Sequence, residues 1–149
     1  MPSSDWERNG WLLAHRPSSR EIADLLAIVD RDLADSQTSG LSADWRLNIA
    51  YNAALQAATA ALAASGFRAS RDQHHYRVIQ SLELTIGAGQ KLVGRLDAFR
   101  KKRNVGGYER AGGTSEGEAR EMRDLAESIA RDVRTWLSRA HPELLNPRG

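Results

Sequence analysis

Arg103 and Asn104 stand side by side near the end of a run of cations, and Tyr108 lies five residues beyond the arginine. A guanidinium stays charged at any biological pH and presents a planar fork of donors, a shape suited to gripping phosphate. A phenol can donate a hydrogen bond to phosphate or stack on a base. Of the chain's 21 basic and 19 acidic residues, segment 91–110 holds seven bases (Lys91, Arg95, Arg100, Lys101, Lys102, Arg103, Arg110) and two acids (Asp97, Glu109). The rest of the chain is left with a net charge of about −3. A cationic segment on a weakly acidic body attracts a polyanion locally, although a solvated helix face has the same composition. Arg103, Asn104 and Tyr108 are the candidate catalytic residues. Arg100, Lys101, Lys102 and Arg110 are the candidate nucleic-acid contacts.

Other chemistries have less support. The absence of cysteine excludes a disulfide scaffold, a Cys-ligated zinc or iron–sulfur site and a thiol nucleophile. The histidines are His15, His74, His75 and His141. Contiguous His74 and His75 should project in different directions from a helix, and Val78 and Ile79 fall where a ligating acid is needed. A cap or packing role is therefore expected for this pair, and no metal or cofactor is implied. Gly87-Ala88-Gly89 lacks the preceding strand that a phosphate loop requires. No apolar run approaches the ~20 residues of a membrane span, and MPSSDWERNG has no signal-peptide core. The expectation is a cytoplasmic protein.

The elements that must position these residues read as helices throughout, with no sustained period-2 alternation to suggest a strand. Ser18 and Glu21 have capping-box spacing, followed by Ile22, Leu25, Leu26, Val29 and Leu33 at helical intervals. A second helix should run from Ser42 or Ala43 to Ser65 and stop at Gly66. It carries Trp45, Ile49 and Leu62 on one side and Leu47, Tyr51, Ala54, Ala58 and Ala61 on another, the pattern of a central helix. Asn48, Asn52 and Gln56 sit within the Trp45 stripe and need partners; capping of loops or a solvent gap is the simplest expectation. Ser70 and Gln73 suggest a third start, with Tyr76, Val78, Ile79, Leu82 and Ile86 following. A fourth helix is expected over 90–104, broken by Gly106-Gly107. Leu92, Leu96, Phe99 and Arg103 fall within about 60° on it, so Arg103 shares the inward stripe. Such an arginine either snorkels from the last turn or serves an inter-helix or inter-subunit groove. Ser115 and Glu118 open a final helix with Met122, Leu125, Ala126, Ile129, Val133, Trp136 and Leu137 on one side. The expected organisation is an all-α, up-and-down bundle of four to five helices over 18–140. Residues 1–17 form an N-terminal arm or short docking helix, and 141–149 a tail.

The run LDAFRKKRNVGGYE resembles the signature segment of HEPN domains, and the resemblance extends through DWRLNIAYNAALQAATAALAASGFR and HHYRVIQSLELTIG, about residues 20–137 in all. It implies a helical bundle that pairs into a homodimer with the signature arginines near the interface. It also implies an RNA or nucleotide ligand, and for many members metal-independent endoribonuclease activity. Members often act as the toxin half of a toxin–antitoxin or defence pair opposite a nucleotidyltransferase-like antitoxin. On that pattern Arg103 is the catalytic arginine and Asn104 the polar residue after it. Tyr108 stands where the RNases carry histidine. Histidine titrates near neutrality, whereas tyrosine, with an ordinary pKa of ~10, is a poor general base at pH 7. Three readings stay open: an RNA-directed protein, a non-catalytic dimer that acts as a protein-interaction module, and, apart from the resemblance, an acidic-helix docking protein whose basic loop binds another protein.

Overall fold

A computed structural model describes the backbone of residues 3–109 and 113–145, and the side chains of residues 4–102 and 113–145. The order is α1 (Ser3–Arg8), β1 (Leu12–Ala14), α2 (Ser19–Asp35), α3 (Ala43–Ala64), β2 (Phe67–Ala69), α4 (His74–Gln80), α5 (Gln90–Glu109) and α6 (Glu116–Ala140). Single 3₁₀ turns follow α4 at Ser81–Glu83 and α6 at Pro142–Leu145.

Alanine on every side of α3 lets neighbours approach from several directions, and they do. α2, α4, α5, α6 and β2 all pack on it. Ala50, Ala53, Ala54, Ala57, Ala58, Ala60 and Ala61 have no exposed surface. Ser42 caps its start by accepting from the Trp45 N–H, and Gly66 takes the left-handed conformation, φ 94°, just past its end. The apolar stripe of α6 closes the other side: Met122, Ala126, Ile129, Val133 and Leu137 are fully buried, while Trp136 is half-buried. Both halves of the Ser115–Glu118 capping box are present. The protein is a helical bundle with α3 at its centre.

Several details depart from the sequence reading. Two strands exist where none is expected: β1 and β2 pair antiparallel, Leu12 opposite Ala69 and Ala14 opposite Phe67. Three residues are too few to show alternation, and their pairing joins segments far apart in the sequence, β2 being the strand that packs on α3. Ser18 does cap α2, but Glu21 does not complete the box, because its carboxylate is held by His15 Nε2 at 2.8 and 2.9 Å. α4 begins at His74 rather than near Ser70, after Gln73 in the left-handed conformation (φ 53°) and without a side-chain cap. Gly106-Gly107 does not end α5, which continues to Glu109. A helical glycine costs only about 1 kcal/mol relative to alanine, a penalty that does not compel a break.

On the polar stripe of α3, Asn52 and Gln56 find side-chain partners instead of capping a loop. Asn52 donates to Asp32 Oδ2 at 2.7 Å across the α2–α3 interface, and Gln56 donates to Asn52 at 3.3 Å. Asp32 is 5% exposed and also receives Arg31 Nε at 3.0 Å. Trp45 lies on the same nominal stripe but is 62% exposed. Its neighbours Asp44 and Arg46 meet the start of α6 and the loop before it, through Glu116 and the Thr114 N–H.

Candidate functional site

The cations of α5 are placed by the helix's buried face. Val93, Leu96 and Phe99 hold that face against the bundle, and Asp97 is drawn in with them at 8% exposure. A carboxylate in such a place needs a cation. Arg100 Nε donates to Asp97 Oδ1 at 2.7 Å, and Lys101 Nζ lies 3.6 Å from Oδ2. Lys102 instead reaches α6, with its ammonium 2.8 Å from Glu118 Oε2 and 3.3 Å from the Gly113 carbonyl. Lys91 and Arg95 face solvent. Arg103, Asn104 and Tyr108 lie on the part of α5 whose side chains are outside the described residues, and Arg110 lies outside them altogether.

The Lys102 ammonium beside Glu118, with help from the Ser115 N–H and hydroxyl, holds the Glu118 carboxyl below its usual 4.5. A depressed carboxyl pKa stabilises the fold above the ordinary value, and that contribution disappears as pH falls through the lowered one. A carbon-13 NMR titration of Glu118 is expected to give a midpoint below 4.5. The midpoint should move up in Lys102→Ala and stay put in Lys101→Ala.

α4 lies against α5, and between them is a cleft of about 400 Å³ lined by Gln73, His74, His75, Tyr76 and Arg100. Both histidines border this cleft, with ring centroids 6.2 Å apart, but they diverge as their adjacency predicts and bond to different partners. His74 is the first residue of its helix, so the preceding loop as well as helical geometry sets its direction. Its Nδ1 donates to the Ser70 carbonyl at 3.1 Å, while Nδ1 of His75 lies 3.3 Å from the Tyr51 hydroxyl. Packing is thus the role of His75, as expected; His74 turns outward.

Two guanidinium groups lie near the Tyr76 ring: Arg100 Cζ is 5.5 Å and Arg77 Cζ 5.4 Å from its centroid. Arg77 also stacks on Trp11 at 4.0 Å. A ladder of alternating rings and cations therefore connects the N-terminal arm, α4 and α5. Sequence reasoning missed His74 and Tyr76 as neighbours of the basic segment, and nothing in the sequence signalled them. It counted Asp97 within the segment but missed its burial, which its place one residue from Leu96 on the inward stripe could have shown.

A second cleft, about 410 Å³, runs between the Gly87–Gly89 loop and α6. Asp132 and Arg139 line it with opposite charges, so it selects no sign of ligand. Among the described residues no group of three or more His, Asp or Glu could hold a metal ion. No helix among them is long and apolar enough to cross a membrane. No protein-family model, curated protein or solved structure matches the chain.

Proposed function

We propose that this is a HEPN-like protein that binds RNA or a nucleotide through the basic half of α5, as the toxin-type half of a toxin–antitoxin or defence pair. In this reading Arg103, Asn104 and Tyr108 form the reaction centre of a metal-independent endoribonuclease, and Arg100, Lys101, Lys102 and Arg110 hold the RNA strand. The supporting observation is a shortage of acids. Asp97 is shared by Arg100 and Lys101, and Glu118 meets Lys102 alone, so the described part of α5 keeps net positive charge. Tyr108 restricts the chemistry, because a phenol positions phosphate better than it removes a proton at pH 7.

The test is an RNA-cleavage and binding assay with wild type and Arg103→Ala, without metal and in chelator. Wild type should bind single-stranded RNA with an affinity that falls steeply with salt. Arg103→Ala should weaken binding by about tenfold, equivalent to ~1.4 kcal/mol, and remove any cleavage. Salt-independent binding, or equal behaviour of the two proteins, would overturn this reading.

The second reading is a homodimeric HEPN module whose Arg103 and Tyr108 organise the interface and which binds other proteins without catalysis. Trp45 favours it: a tryptophan 62% exposed beside the start of α6 is suited to burial against a second copy. On this reading Arg103→Ala changes the oligomeric state in sedimentation and leaves RNA out of account.

A further inference from the structure

We propose that the cleft between α4 and α5 is a binding site for a phosphate ester, with Arg100 and His74 as the groups that meet its oxygens. The inference deepens the nucleic-acid reading and takes its ligand class from it; it shares Arg100 with that reading, while the other lining residues come from α4 and the residue before it.

Charge selects the ligand. Among the described residues His74, His75 and Arg100 line the cleft and no carboxylate does. Asp97 is buried beside Arg100 and takes its Nε edge. The two terminal amino groups of Arg100 have no hydrogen-bond partner among the described residues, and they form the pair that matches two phosphate oxygens. Asp97 at one edge and the Tyr76 ring below fix the guanidinium plane, so little freedom is left to lose when an anion binds. Tyr76, with two cations already near its ring, is a positioning residue for Arg100 and not a platform for a base.

His74 is oriented for the same task. Its Nδ1 bond to the Ser70 carbonyl requires a proton on Nδ1, which leaves Nε2 as the atom available to a ligand. With both ring nitrogens as donors, Nε2–H donates to a phosphate oxygen. His75, tied to Tyr51 in the core, supports the wall of the cleft. The volume, about 400 Å³, is within the range of small-ligand sites, so the phosphate can belong to a free nucleotide or to an RNA chain.

The experiment uses the full chain and three probes: inorganic phosphate, 5′-AMP, and a single-stranded oligoadenylate with a 5′ hydroxyl. Imidazole nitrogen-15 NMR on wild type follows the His74 ring during each titration, and fluorescence anisotropy follows RNA. At least one phosphate-bearing probe should shift Nε2 of His74 and leave His141 unmoved. His74→Ala and Arg100→Lys should each weaken binding of that probe fivefold or more with an unchanged circular dichroism spectrum. A His74 ring that responds to none of the three overturns the proposal, and wild type decides this even where a variant fails to fold.

The outcomes also separate this site from the reading above. RNA binding that is lost in Arg103→Ala while His74 stays silent removes the cleft and keeps the α5 interface. A His74 response to 5′-AMP or phosphate, with no RNA bound, keeps the cleft as a site for free phosphate esters and removes the RNA reading. A response to oligoadenylate assigns the cleft to the RNA chain.

Discussion

Replacing Ala58 by leucine is expected to destabilise the protein by about 2–3 kcal/mol, near the upper end for overpacking a core. Ala58 has no exposed surface, and it lies on the helix that the other long helices enclose. Three additional carbons there must displace a neighbouring helix or force side chains off their rotamers. For a chain of this length each kcal/mol is worth roughly 2–4 °C, so the melting temperature should fall by about 4–12 °C. Ala27→Leu is the matched control, since Ala27 is exposed on α2, and it should leave the melting temperature within a degree or so. Equal melting temperatures for Ala58→Leu and wild type would mean that α3 is not packed closely on its neighbours.

The second large effect belongs to the Asp32–Asn52 bond. Asp32→Ala removes a charged acceptor from a nearly closed interface and leaves the Asn52 amide with only Gln56 near it. Hydrogen bonds to charged groups contribute about 1.5–3 kcal/mol, and the stranded amide places the expected loss near 3. Arg31 recovers its solvation because it is largely exposed, so it adds little. Urea unfolding should show a lower midpoint at an unchanged slope, the mark of lost stability without a change in the surface exposed. Asp32→Asn keeps an oxygen acceptor and should lose less than half as much. A loss of equal size in both variants would place the effect in the charge and not in the hydrogen bond.

The helices were legible because their signals are local. Ser42 and Gly66 bound α3 within a residue of expectation, and the Ser115–Glu118 box opens α6 as its spacing requires. Glu21 shows the limit. Its spacing from Ser18 is that of a capping box, but a histidine six residues upstream, folded back by the arm, takes the carboxylate. The Asn52 amide announced that it needed a partner, though nothing along the chain pointed to Asp32 on another helix. The cleft was less legible still. Whether His74 and His75 open on one space depends on the backbone at Gln73 and on the approach of α5, and both are tertiary facts. The basic segment itself was plain from composition, while the sharing of Asp97 between Arg100 and Lys101 emerges only from the inward turn of the helix.

The β1–β2 ribbon fixes the order in which the molecule can be completed during synthesis. Residues 12–14 leave the ribosome well before residues 67–69, and the arm has no strand to pair with until α3 has followed it out. Trp6 and Leu12, both buried at the end, stay open to solvent through that interval. Trp11 waits longer, since the guanidinium that covers it belongs to Arg77 on α4. Of the two strands, the one made earlier is therefore sealed late, after α4 has followed it out.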